Sequence, residues 1–291
     1  MDVVITGAQV GAQYALLAIA VAVMYSTTRV VNFAIGTFAV AAVYVSLKLA
    51  EAGWPALAAV ALGCLAAAVI AVAMEIIVAV PLLRRLPGDG PGVVVVASIL
   101  VLELGRAGLS VVFGPNPLSW PSSLSLEGAI ALGDSKVTHV ALVTYAVSGV
   151  VLAAAYLTLY RTGIGAVVRA VAERPGTMGL VGVNASRVRM VSWGVAGLLS
   201  GVAGILLAGG ISPSPGMMVN PLIGALAGVA VGGLTSLLGS ALGAFAVGIT
   251  QTAAAMWVGS LAFTAFPVIL IIVVLVVRPQ GLFGRGEVER A

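Results

Sequence analysis

The stretch LAFTAFPVILIIVVLVV, residues 261–277, contains no Asp, Glu, Lys or Arg and ends against Arg278. A helix crosses the hydrocarbon core of a bilayer with about 17–25 predominantly apolar residues, so this run reads as one crossing. The same reading extends upstream to residues 4–25, 31–50, 55–80, 92–113, 138–160 and 190–211. Residues 221–258 are apolar too, but crowded with glycine, and read either as two short crossings or as a broken helix followed by one full crossing. The expectation is an all-α polytopic integral membrane protein with about eight (seven to nine) transmembrane helices. One of these is broken or re-entrant, and 221–235 is the segment assigned to it.

Composition points the same way. The chain of 291 residues is 61% hydrophobic and 8% charged, whereas soluble domains carry about a quarter charged residues. The N-terminal MDVVITGAQV lacks a basic region and a small-residue cleavage pattern, so the first apolar run is expected to stay as a span. The single cysteine, Cys64, sits inside an apolar run and reads as a small buried hydrophobe. The net charge of +4 is assigned to cytoplasmic loops rather than to nucleic-acid binding.

Counting charges by loop sets the orientation. One side receives Arg29, Arg84, Arg85, Arg161, Arg169, Arg174, Arg187, Arg189, Arg278, Arg285 and Arg290. The other receives only Lys48 and Lys136, with the acids Asp2, Glu51, Glu127 and Asp134. The positive-inside rule makes the arginine-rich side cytoplasmic. The N-terminus is then outside and the C-terminus inside. Residues 114–137, rich in Pro, Ser and Gly, become an extracytoplasmic loop with Trp120 at the interface, and 161–189 becomes a cytoplasmic loop. With no linker long enough to divide it, residues 1–291 read as a single transmembrane domain.

Glycine is over-supplied, with 37 residues. Gly7 and Gly11, Gly197 and Gly201, Gly224, Gly228 and Gly232, and Gly239 and Gly243 recur at four-residue spacing. Small residues so placed let helix backbones approach closely; a pore lined by backbone within 221–248 is the other reading.

Charges inside spans are costly and mark function or pairing. There are three: Glu75, Glu103 and Arg106. Glu103 and Arg106 stand three residues apart on one helix face and can neutralise each other in the bundle, line a path, or meet a partner subunit. Enzyme chemistry finds no support. The lone His139 begins a span and supplies no paired-histidine metal site, and no triad or HExxH pattern occurs. Lys48 follows Leu47 and Lys136 follows Ser135, so neither belongs to a Gly-Lys-Ser/Thr phosphate loop. An ATP-driven process would need its ATPase on another polypeptide.

Between the crossings, residues 170–190, AVAERPGTMGLVGVNASRVRM, gather Glu173, Arg174, Arg187 and Arg189 next to hydrocarbon. Before them, RTGIGAVVRAVAE places Ile164, Val167, Val168 and Val171 on one helical face. Pro175 and Gly176 break that helix. The apolar TMGLVGV follows, with Gly179, Leu180 and Gly182, and then Asn184 as a turn or cap. A short helix held between breakers on the cytoplasmic face suits docking into a partner's cleft.

These residues resemble the permease subunits of branched-chain amino acid ABC importers, the shorter of their two permease types. The resemblance runs through nearly the whole chain. It rests on GAQYALLAIAVAVMYSTTRVVNFAIGTF with Tyr14 and Asn32-Phe33-x-x-Gly36, on Glu75 followed by Pro81-Leu82, and on FGPNPLSWPS. It also rests on Arg278-Pro279-x-Gly281-Leu282 and on the series Arg161-Thr162-Gly163, Arg169-Ala170, Ala172-Glu173, Gly182-Val183-Asn184 and Arg187-Val188. Departures are Ile35 where the family usually has His, Ile76 where it has Arg, and Arg174-Pro175 where it has a polar or acidic residue. The resemblance implies a complex with a second permease subunit, normally a paralogue, two ATP-binding subunits and an extracytoplasmic solute-binding protein in the bacterial inner membrane. It implies that ATP is bound by those partners, that this chain needs no cofactor or metal, and that the loop with Glu173, Gly176, Gly179, Leu180, Gly182 and Asn184 contacts the ATPase. Substrates would be leucine, isoleucine or valine, or a related amino acid, short amide or urea. The competing class is an ion-coupled secondary transporter, for which paired pseudo-symmetric halves are not visible.

Overall fold

The computed structural model describes residues 2–86, 90–126, 128–132, 135–173, 177–278 and 280–284. Glu127, Asp134, Arg174, Pro175, Gly176, Pro279, Arg285 and Arg290, all used in the sequence reading, lie outside the described residues. The apolar runs fold into α1 (Asp2–Thr28), α2 (Ile35–Glu51), α3 (Ala56–Met74), α4 (Val80–Arg85), α5 (Gly90–Phe113) and α6 (His139–Arg161). They continue as α7 (Gly163–Glu173), α8 (Ala185–Ala208), α9 (Val219–Gly232), α10 (Leu237–Val258) and α11 (Ser260–Val277). Among the described residues, seven helical runs are long and apolar enough to cross a membrane, with Ala56–Arg85 counting as one run of 30 residues. The protein is an all-α polytopic membrane protein.

Several boundaries depart from the sequence reading. The run expected at 190–211 starts at Ala185, because Asn184 caps it: its Oδ1 accepts the Arg187 N–H at 3.1 Å. Arg187 and Arg189 are therefore helical residues and not part of the loop. The continuous span expected at 55–80 contains a π-turn at Glu75–Ala79, where the Val80 N–H reaches back to the Glu75 carbonyl. Pro81, which has no N–H to donate, follows directly and disfavours a regular ladder there. The 114–137 loop carries structure of its own. Ser122–Leu124 form a 3-10 turn, and β1 (Ala129–Leu132) pairs antiparallel with β2 (Ser135–Thr138), in register from Ala129 opposite Thr138.

The chain divides into two compact units. The first comprises residues 1–22, 129–156 and 220–291, and the second residues 23–128 and 157–219.

In the first unit, α10 packs its glycine face on both α1 and α9. A Cβ on Gly11 would meet the Phe245 carbonyl at 2.5 Å, and one on Gly228 would collide with Ala244 backbone. The Tyr14 ring fills the space that a side chain at Gly224 would need. Gly224 and Gly228, in the segment where a backbone-lined pore is the alternative, are thus occupied by helix packing. Two hydroxyls tie α6 to α1: Tyr145 donates to the Ile5 carbonyl and Ser148 to the Ala12 carbonyl, each at 2.9 Å. Beside these bonds an apolar cavity of about 580 Å³ lies among Ala8, Ala12, Leu152, Leu242 and Phe245.

Residues 221–258 resolve into the 14-residue α9 and the 22-residue α10. At about 1.5 Å per residue α9 is roughly 21 Å long, short of the roughly 30 Å hydrocarbon core. Gly233, with φ +97°, turns the chain from α9 into α10. The residues after α11 return to this turn: Leu282 N–H donates to the Val231 carbonyl at 2.7 Å and Phe283 N–H to the Gly232 carbonyl at 3.1 Å. The end of α9, the start of α10 and the end of α11 therefore meet at one end of the unit.

The second unit is built on α2, α3 and α8, which touch through small residues. Gly63 lies against Ser46 and Ala42, Gly197 against Ala67 and Ala71, and Gly204 against Ala39. Buried Cys64 takes its place among them as a small hydrophobe. α5 is attached more loosely, with Gly105 against Thr37 as its close approach.

Candidate functional site

The expected partner-contacting segment is organised by α7. Its buried side is Gly165, Val168 and Val171, an i, i+3, i+6 stripe. Ile164, expected on the same face, is turned outward. Arg169 reaches back to the Leu159 carbonyl and lies over the Tyr160 ring at 5.8 Å. It thereby satisfies one of the carbonyls that a helix end leaves open. Glu173 ends α7 on the exposed side. Gly176 lies outside the described residues.

The apolar element after the break is not a helix extending through Val183 but a single 3-10 turn, Met178–Val181. It is closed by the Gly182 N–H on the Gly179 carbonyl and the Val183 N–H on the Met178 carbonyl, at 3.2 and 3.0 Å. Gly182 sits at φ +76°, and a Cβ added there would find no atom within 4 Å; Gly179 is equally open. The special requirement at Gly182 is thus left-handed backbone and not close packing within the chain. Leu180 is 87% exposed and Val181 70%. Two large apolar side chains stand outward on a tight turn, just before the Asn184 cap that begins α8.

The three intramembrane charges separate into two sites. Glu75 is fully buried at the start of the π-turn, and Arg189, in the second turn of α8, donates from Nε to its Oε1 at 2.9 Å. Its other oxygen, Oε2, is buried without a hydrogen-bond partner. The sequence places Arg189 among the loop bases and leaves Glu75 alone. The missing clue is depth: a base in the first turns of one apolar helix can meet an acid near the end of another. Glu103 and Arg106 do pair, as their spacing requires, at 2.5 Å. They do so on an outward face of α5 with about half of each side chain exposed (49% and 50%), and not inside the bundle.

Asn32, Phe33 and Gly36 shape the break between α1 and α2. Arg29 adopts φ 54°, the one positive φ outside glycine among the described residues, and turns the chain out of α1. Asn32 then accepts the Ala34 N–H on Oδ1 at 2.8 Å, and the Phe33 N–H donates to Ser98 Oγ of α5 at 3.0 Å. The Gly36 N–H closes on the Phe33 carbonyl at 3.3 Å. Asn32 is buried, and its Nδ2 has no partner.

Two sets of residues are thus assembled. One is an exposed apolar turn tied through a cap to α8. The other is a buried ion pair that ties α8 to α3. Neither set resembles a group that makes or breaks covalent bonds.

The chain is 25% identical over 301 residues to the "High-affinity branched-chain amino acid transport system permease protein LivH" of Escherichia coli (strain K12), covering 98% of this chain and 95% of the relative. It is 29% identical over 290 residues to the "Probable branched-chain amino acid transport permease protein LivH" of Methanocaldococcus jannaschii, covering 92% and 88%. With the "High-affinity branched-chain amino acid transport system permease protein BraD" of Pseudomonas aeruginosa it shares 26% over 306 residues, covering 98% and 96%. No solved structure matches the chain. The model of the family described as "Branched-chain amino acid transport system / permease component" matches residues 3–277, and the chain belongs to that family.

Proposed function

We propose that this permease works in an ATP-driven importer of branched-chain or related amino acids. It pairs with a second permease subunit, normally a paralogue, to form the path. Two separate ATP-binding subunits hold and hydrolyse ATP, and an extracytoplasmic binding protein delivers the solute. The chain sits in the bacterial inner membrane with its N-terminus outside and its C-terminus in the cytoplasm. Its own residues carry no cofactor.

The observation that carries this reading is the turn bearing Leu180 and Val181. A pair of largely exposed aliphatic side chains adds little to the fold, whereas burial of each in a partner's cleft contributes about 1.5–3 kcal/mol. Gly179 and Gly182 keep the flanks of the turn low, so a partner's surface can approach. Displacement of the turn passes through the Asn184 cap into α8, and from Arg189 to Glu75 into α3. Glu173, exposed at the end of α7, precedes the turn in the chain.

Leu180→Asp tests the assignment. Because Leu180 is exposed in this chain, the substitution leaves the fold intact and acts only where a partner covers it. The variant is expected to reach normal membrane levels, to co-purify with less ATPase subunit and to lose ATP-dependent leucine uptake in proteoliposomes. Normal uptake with a full complement of ATPase would remove the turn from the coupling surface.

A further inference from the structure

α5 is the span whose exposure is hardest to reconcile with lipid. Of its 24 residues only Gly90, Val94 and Ser98 are buried. The outward stripe runs through Val96, Leu100, Glu103, Leu104, Ala107 and Val111, and an ion pair stands in the middle of it. Glu103 lies roughly 20 Å from the start of the helix at about 1.5 Å per residue, well inside the hydrophobic run. Charged side chains at that depth face protein or a water-filled cavity and not acyl chains. The neighbouring Ala107 and Gly108 are small, and the space over Gly108 is open. What covers the stripe therefore meets exposed aliphatic side chains on either side of one positive and one negative group.

The contacts within the pair are specific. Arg106 Nε and Nη2 both donate to Glu103 Oε2, at 2.9 and 2.5 Å. Nη1 and Oε1 take no part in these two bonds. An α-amino acid carries a carboxylate and an ammonium on one carbon, opposite in sign to a guanidinium and a carboxylate held three residues apart on one helical face. Exchanging the internal pair for two pairs with the solute conserves charge neutrality at every stage. A solute with one charge alone would leave either Glu103 or Arg106 without its counter-ion.

We propose that the Glu103–Arg106 stripe of α5 borders the aqueous translocation path, and that the pair receives the zwitterionic head of the amino acid in transit, carboxylate on Arg106 and ammonium on Glu103. The proposal rests on the importer reading and deepens it. It assigns recognition of the head group to this chain, and it makes the pair a site that a transported solute must open.

Two measurements on the assembled complex test it. In a Cys64→Ala background, Ala107→Cys is expected to react with a sulfonate-bearing, membrane-impermeant thiol reagent at least about tenfold faster than Ile269→Cys on the uncharged helix α11. Saturating leucine with binding protein should slow the reaction at residue 107. Equal, slow labelling at the two sites would overturn the proposal, as would a disulfide between residue 107 of two copies, which would make the stripe a subunit interface. The second measurement uses the double variant Glu103→Gln, Arg106→Gln, which keeps the face neutral. ATP hydrolysis stimulated by the binding protein should persist while leucine uptake falls at least about tenfold, the loss expected for charge-assisted contacts. Leucine uptake by the double variant at the unaltered KM and rate would overturn it. If the double variant fails to assemble, the labelling result decides alone. Absence of ATP-dependent uptake by the unsubstituted complex would count against the importer reading, while the labelling at residue 107 would still report whether the stripe meets water.

Discussion

At the scale of single residues, Glu75 and Arg189 carry the largest consequence for stability. Glu75 is fully buried, while Arg189 keeps about a fifth of its side chain exposed (19%). Removing the base strands a carboxylate with no solvent, whereas removing the acid leaves a guanidinium on a long stem that can reach the membrane edge. Arg189→Gln should therefore destabilise by about 3–5 kcal/mol, and Glu75→Gln by less. The double change should recover most of the loss, because the cost comes from an unpaired charge more than from the missing bond. Thermal unfolding of the purified complex reads the order directly, and equal losses for the two single variants would contradict it. This pair also marks the limit of the sequence. Glu75 is legible as an anomaly because a lone carboxylate in hydrocarbon is conspicuous. Its partner is not, because 114 residues separate the two and Arg189 looks like one of many cytoplasmic bases. Glu103 and Arg106 are legible as a pair because helical spacing fixes i, i+3 neighbours. Which way they face depends on packing that only the assembled helices reveal.

At the scale of elements, run length identifies most of the spans, because hydrocarbon thickness imposes it on any crossing helix. The ends are less legible, since they depend on single caps. Asn184 moves the start of α8 to residue 185, and Gly182 with the turn at Met178–Val181 shortens the expected helix to one turn. Asn184→Ala removes the acceptor for the Arg187 N–H and should cost about 1 kcal/mol. Amide exchange at Arg187 and Val188 should rise in that variant while exchange in the middle of α8 stays unchanged. The glycines divide by what surrounds them. Gly228 faces the Ala244 backbone, whereas nothing lies within 4 Å of a Cβ at Gly149 in α6. Gly228→Val should then abolish recovery of folded complex from membranes, and Gly149→Val should leave recovery near normal. Similar yields for both would show that α9 and α10 part easily.

At the scale of the whole molecule, the uneven distribution of arginine and lysine predicts the orientation. With Cys64 replaced, cysteine at Ser122 should react with an impermeant thiol reagent applied from outside, and cysteine at Thr177 only after permeabilisation. The opposite pattern would invert the assignment of every loop. The tail that returns to α9 has a further consequence, for how the chain is made. A 14-residue helix is too short for the membrane to hold by hydrophobic length alone. The carbonyls of Val231 and Gly232 are met by N–H groups of Leu282 and Phe283, which leave the ribosome well after α9 itself. Synthesis thus delivers the clasp of α9 only after α10 and α11. Until then α9 waits in a provisional state, and a chain released before residue 282 would lack the groups that close it.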